Sequence, residues 1–265
     1  MKENMRKIFL ILLMFVLLLI VWNALASSIN GFPSPQSTYV AAFGGVDAEG
    51  EEIEGVLPHG LDIEDDEEQG VFWHLLTTLT NVFGGLGLTL MVGLPLGILL
   101  GLNRNLRFLL HSFMEFLKIV PPLLWLPFVL LMFQDHTLAT LFTVFIASLW
   151  PIIRSTEEGL LSVHEDYIKM SQVLQLTQRE RLMQVILPLV VPSIFAGLKR
   201  SLSIAWMVAL PVEMLLQDKG MGYWIWYAYT ELMYDNILIG IAIVSLVIFV
   251  IDKVVSKITY YFDYR

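Results

Sequence analysis

The sequence predicts an all-α integral membrane protein with about six transmembrane helices and a cytoplasmic helical segment between the fourth and fifth. Hydrophobic residues make up 56% and charged residues only 15% of 265 positions, and the apolar residues fall in long blocks, as they do in multi-span membrane proteins. The blocks are long enough to cross ~30 Å of hydrocarbon, which takes about 20 helical residues. One polar stretch of helix-compatible sequence, 164–192, interrupts them. Spanning a bilayer does not require such an island, so it is read as a contact with something in the aqueous phase.

Six runs qualify as spans: 8–29, 83–102, 108–133, 137–154, 191–215 and 236–256. Lys2, Arg6 and Lys7 precede the first, and Ala24-Leu25-Ala26 has the form of a signal-peptide cleavage site. The apolar stretch continues through Ile29, longer than a usual signal core, and favours a membrane helix. In the second run Gly93, Gly97 and Gly101 recur every fourth residue on one face. That stripe lets a neighbouring backbone approach where lipid gives no hydrophobic drive for association. The third and fourth runs are separated by Gln134, Asp135 and His136, enough for a tight turn. Pro95, Pro121, Pro122, Pro127, Pro151, Pro192 and Pro211 break the runs, and the carbonyls they free must meet protein or a wet cavity.

The basic residues orient the bundle. Arg104, Arg107, Arg154, Lys169, Arg179, Arg181, Lys253, Lys257 and Arg265 lie on the same set of loops and ends as the N-terminal cluster, whereas 30–70 and the 134–136 turn carry no Lys or Arg. By the positive-inside rule both termini and the 155–190 loop are cytoplasmic. The net charge of −9 is local, because 47–68 holds eleven carboxylates and no Lys or Arg. Removing those eleven from the 25 acids leaves 14 against 16 basic residues. This external insert reads as a solvated loop, with a docking surface for a binding protein or for cations as the sharper alternative.

Several chemistries are missing. Cysteine is absent, which excludes disulfides and thiolate metal sites. No Gly-x-x-x-x-Gly-Lys-Ser/Thr stretch occurs, so any ATP must be used by a partner. His-Glu-x-x-His and Gly-x-Ser-x-Gly are also missing, and the five histidines lack metal-ligand spacing. An enzyme is not expected, nor a cofactor, a metal or nucleic acid. Ionisable residues read inside apolar runs are Glu115, Lys118 and Glu213. Such groups are functional candidates at membrane depth, although Glu115 and Lys118, three apart, also suit an internal ion pair. Lys118 is read as the only positive charge well inside a span. With Pro121, Pro122, Trp125 and Glu213 it forms the candidate set for a solute pathway.

The 164–192 island resembles the cytoplasmic coupling loop of ATP-binding-cassette importer permeases, whose pattern is Glu-Ala-Ala, three residues, Gly, then Leu-Pro. Lys169-Met170-Ser171 stand at the Glu-Ala-Ala positions, Gln175 at the Gly, and Leu187-Pro188 keep the closing pair. Over 75–258 the chain resembles the nitrate/sulfonate/bicarbonate (taurine-type) branch of that family. The resemblance runs through 93–101, 117–127, 150–159, 186–199, 205–215 and Gly220-Met221-Gly222-Tyr223. Lys118 replaces the family's Arg, and the acidic 44–70 insert has no counterpart.

The resemblance implies a permease subunit for a small solute, such as nitrate, bicarbonate or a sulfonate, in a bacterial inner membrane. Its implied partners are a second copy or a related permease, two cytoplasmic ATP-binding subunits that use ATP and Mg, and an external solute-binding protein. In that reading 1–29 is an N-terminal membrane helix, 30–70 an external acidic loop, 71–258 a five-helix core and 259–265 a tail. Tyr167, Lys169, Met170, Ser171, Val173, Leu174, Gln175 and Arg179 are the candidate ATPase-coupling residues, with Tyr167, Met170, Val173 and Leu174 facing a groove. Two rivals remain from other classes. A secondary transporter would show inverted repeats and paired intramembrane acids; a membrane scaffold would carry no transport at all.

Overall fold

The computed structural model describes residues 2–29, 31–46, 52–60, 70–216 and 218–263. The helices are α1 (Lys2–Ser28), α2 (Pro35–Phe43), α3 (Val71–Leu102), α4 (Arg104–Ile119), α5 (Leu126–Phe133), α6 (His136–Leu161), α7 (Glu165–Val173), α8 (Gln178–Glu180), α9 (Leu187–Leu216), α10 (Met221–Thr230) and α11 (Tyr234–Asp263). A two-residue hairpin pairs β1 (Gly45–Val46) with β2 (Glu52–Ile53). Among the described residues four helices are long and apolar enough to cross a membrane, and α4 with the Pro122–Phe133 segment makes a fifth when that bent pair is counted as one span.

Small residues set the core. On α3, a Cβ added to Gly85 would fall 2.6 Å from Val144, one on Gly97 2.7 Å from Thr156, and one on Gly101 2.7 Å from Leu160. Gly93 lies against Ile152 in the same register. The pairs advance together along both chains, so α3 and α6 run parallel with backbones in close approach. Between α6 and α9 the order reverses: Gly159 meets Ser193, Gly197 meets Ser155, and Ser201 Oγ donates to the Ser148 carbonyl at 2.7 Å. α9 is therefore antiparallel to α6. Lys199 Nζ, 2.7 Å from Ser256 Oγ and 3.4 Å from Asp252, ties α9 to α11.

Because α3 and α6 run parallel, the chain from 103 to 135 must return across the full depth of the bundle. It does so with a bend of 90° between Arg104–Ile119 and Pro122–Phe133, where the sequence suggested one run over 108–133. The cause is local. Val120 (φ −67°, ψ 119°) and Pro121 (φ −56°, ψ 129°) each precede a proline and are driven out of helical backbone. The turn to α6 forms where expected, with Gln134 left-handed (φ 52°) and Asp135 capping α6 by accepting from the Leu138 N–H at 2.7 Å.

α3 begins twelve residues before the predicted run at 83. Its first turns carry Trp73, His74, Thr78 and Asn81, which an apolar window rejects, yet the last three are buried against other helices. α9 continues backwards through a π-helical segment, Arg181–Ile186, to α8. The widened turn lies just ahead of Pro188, which cannot donate to the ladder. α1 touches the body mainly at its end, where Trp22 Nε1 donates to the Pro33 carbonyl at 2.9 Å. Ser37 and Thr38 of α2 each donate to Asp235 Oδ1 at 2.8 Å, fastening this arm to the start of α11.

Part of the acidic insert is packed rather than solvated. The Val56 and Leu57 N–H groups donate to the Ala41 and Ala42 carbonyls, and the Phe72 N–H donates to the Gly60 carbonyl. Val56 also packs against the cluster of Val71, Met221 and Val244. Residues 47–51 and 61–69, with most of the insert's carboxylates, lie outside the described residues, as do 264 and 265 of the predicted tail.

Candidate functional site

Two regions gather the polar chemistry. The first is the 164–187 hairpin at the end where α6 stops and α9 begins. His164 caps α7 by accepting from the Asp166 N–H, and Lys169 reaches Glu165 at 3.2 Å. Thr177 and Glu180 form a reciprocal capping box that starts the next helix, with the Thr177 N–H donating to Glu180 Oε2 at 2.8 Å. Between them Gln175 has φ 53°. This is the left-handed conformation a glycine adopts without strain, and it accounts for the family's Gly at that position.

The hairpin's apolar side chains are not used internally. Tyr167, Met170, Val173 (81% exposed) and Leu174 are all exposed, as are Lys169 and Arg179. Ser171 is an exception among the candidates. It is buried, and its hydroxyl donates to the Ile168 carbonyl at 2.6 Å, so it braces the helix from within.

The second region is a half-open cavity of about 440 Å³ bounded by α4, α6 and α9. One face of α4 supplies Arg107, His111, Glu115 and Lys118; α6 supplies Arg154 and Glu157, and α9 supplies Arg200. Lys118 sits 3.7 Å from Glu115, the pairing anticipated from their spacing, but both side chains are about half exposed on the cavity wall and not internal to the bundle. Arg154 Nε donates to Glu158 at 2.7 Å, with Glu157 3.9 Å away. Lys118 is thus one of four cations here and not the only one. Sequence reading missed Arg107, Arg154 and Arg200 because it assigned the first two to loops and passed over the third inside the apolar run 191–215. The spacing of 107, 111, 115 and 118, one polar stripe on an apolar helix, was the signal that could have found the α4 face.

The other pathway candidates divide. Pro122 lines the cavity, and Pro121 sits at the bend beside it. Trp125 packs against the core of Leu126, Val129 and Val212. Glu213 lies elsewhere and is enclosed, only 2% exposed. Its carboxylate accepts from Thr78 Oγ1 at 2.8 Å, Asn81 Nδ2 at 3.0 Å and the Gly222 N–H at 3.1 Å. Its partners are therefore side chains of α3 and the backbone at the start of α10. Gly220, at φ 107°, and Gly222 let that backbone close on the carboxylate, since a Cβ on either would collide with Glu213 or the Leu210 carbonyl.

A helical membrane bundle with a half-open, charged cavity and an exposed apolar hairpin at one end fits the class of transport permeases. The fold matches a chain of the inward-facing MetNI methionine ABC transporter, with a TM-score of 0.64 at 18% identity, covering 72% of this chain and 95% of that one. Residues 93–265 match the family model of binding-protein-dependent transport system inner membrane components, and the chain belongs to that family. It is 33% identical to the bicarbonate transport system permease protein CmpB of Synechococcus elongatus, over 71% of this chain and 68% of that protein. It is 35% identical to the nitrate import permease protein NrtB of Leptolyngbya laminosa, over 72% and 68%. With the taurine transport system permease protein TauC of Escherichia coli it shares 29% over 68% and 65%. The protein is a multi-pass, membrane-spanning permease subunit of an ATP-binding-cassette importer, and the secondary-transporter and scaffold readings are set aside.

Proposed function

We propose that this permease imports a small anion, a nitrate-, bicarbonate- or sulfonate-like solute, across a bacterial inner membrane with both termini cytoplasmic. Two cytoplasmic ATP-binding subunits hydrolyse ATP with Mg, and an external binding protein delivers the solute to a pair formed by this chain with itself or a related permease. In this reading α1 completes a set of six crossings.

The observation that carries the coupling role is the exposed apolar face of Tyr167, Met170, Val173 and Leu174 on a helix capped at its start and turned sharply at Gln175. Those side chains fit a groove of the ATP-binding subunit, and Lys169 and Arg179 suit its polar rim. A short rigid helix so docked transmits the opening and closing of the ATPase pair to α6 and α9, which flank it in sequence. Four cations lining the cavity, against the carboxylates of Glu115 and Glu157, support an anionic cargo, as do the names of the bicarbonate and nitrate relatives.

Co-purification with an ATP-hydrolysing subunit, followed by binding-protein-dependent uptake in proteoliposomes, tests this function. A chain that assembles with no ATPase, or carries solute on an ion gradient alone, would overturn it.

A further inference from the structure

The four cavity cations are not equivalent. Lys118 is matched by Glu115 at 3.7 Å, and Arg154 by Glu158 and Glu157. Arg107 and Arg200 have no carboxylate within ion-pair distance among the described residues. The only hydrogen bond from Arg200 there runs from Nη1 to Ser155 Oγ at 3.3 Å. Arg107 Nη1 is buried and has no acceptor.

Both arginines line the same cavity, whose remaining wall includes Leu100, Ile204 and Met207. Among the described residues the enclosed Nη1 of Arg107 has no acceptor, which is costly because a buried charged donor loses its hydration and receives nothing in return. Arg200 is exposed at the open side of the cavity and free to meet a solute there. A planar guanidinium presents paired N–H donors that suit the oxygens of a small oxyanion, in a way the point charge of a lysine does not. Both groups also lie toward one end of the bundle: Arg107 is in the first turn of α4, and Arg200 bonds to Ser155 near the end of α6.

We propose that Arg107 and Arg200 are the groups that hold a small oxyanion within this cavity during its passage, at the end of the bundle that carries the α7 hairpin. The proposal rests on the permease reading above and assigns the anion-recognising residues within it. The paired Lys118 and Arg154 are then structural neighbours that set the field, while the two unpaired arginines make the contacts. Holding is transient because the carboxylates of Glu115 and Glu157 on the same walls oppose an anion, and a conducting site must release what it binds.

The test uses the whole complex, with its ATP-binding subunits and binding protein, in proteoliposomes, and follows uptake of isotope-labelled nitrate and bicarbonate per assembled complex. Arg107→Gln and Arg200→Gln should each lower uptake of the transported anion at least tenfold, Arg107→Lys should recover part of it, and Arg104→Gln, outside the cavity, should match wild type. Wild-type uptake in both glutamine variants would overturn the assignment. Disassembly of the complex in Arg107→Lys as well as Arg107→Gln would also overturn it, by showing that the arginine pairs with another subunit. A wild-type complex whose ATPase responds to the binding protein but that carries neither anion would remove the oxyanion while leaving the permease function standing. Failure to assemble with an ATPase would remove both.

Discussion

Thr78 Oγ1 donates to Glu213 Oε2 at 2.8 Å and accepts from the Met221 N–H at 2.8 Å, so one hydroxyl joins α3, α9 and α10. Asn81 and the Gly222 N–H complete the enclosure of the carboxylate. Glu213→Ala should therefore destabilise the fold itself, since each stranded donor costs about 1–3 kcal/mol. Thermal unfolding of the detergent-purified protein should show a clear drop, and Thr78→Val a smaller one. A variant that unfolds like wild type yet transports nothing would return Glu213 to the solute route.

The glycine stripe should be intolerant on one side only. A Cβ on Gly97 would fall 2.9 Å from the Ile153 carbonyl and 2.7 Å from Thr156 Cβ, whereas one on Gly87 meets nothing within 4 Å. Gly97→Leu should cost about 1–3 kcal/mol or more by forcing α3 and α6 apart. Gly87→Ala should be neutral or stabilising by up to about 1 kcal/mol. Unfolding temperatures of the two variants check the contrast.

Gln175 carries a left-handed backbone that costs an ordinary residue about 1–2 kcal/mol. Gln175→Gly should relieve it and keep uptake, while Gln175→Val, β-branched, should loosen the hairpin and lower uptake.

Leu174 tests the docking surface instead of the turn. Leu174→Asp, placed on an exposed position, should leave membrane insertion intact and let ATP hydrolysis continue while uptake falls at least tenfold. Full uptake in this variant would remove the hairpin from the coupling role.

The absence of cysteine makes orientation directly measurable. A single Glu52→Cys should react with an impermeant thiol reagent in intact cells, and Arg179→Cys only after permeabilisation. The reverse pattern would invert the bundle.

The apolar blocks and the Gly93, Gly97 and Gly101 stripe were legible because length and helical spacing are properties of the chain alone. The 134–136 turn and the polar island were legible for the same reason. The first turns of α3 were not, since Thr78 and Asn81 are polar residues that become buried only through a carboxylate 135 and 132 positions away. The partners of Glu213 were hidden for the matching reason: an acid in an apolar run does not show which side chains across the bundle enclose it.

The sequence by itself determined the membrane class, the helix periodicity, the polar hairpin and the lack of a P-loop motif and of cysteine, because hydropathy, spacing and residue type are local. Tertiary structure alone decided which charges share a cavity. Arg107, Lys118, Arg154 and Arg200 come from three helices, and only packing shows that, among the described residues, two are matched by carboxylates and two are not. That distinction is electrostatic and depends on distances across the bundle, which no single segment encodes.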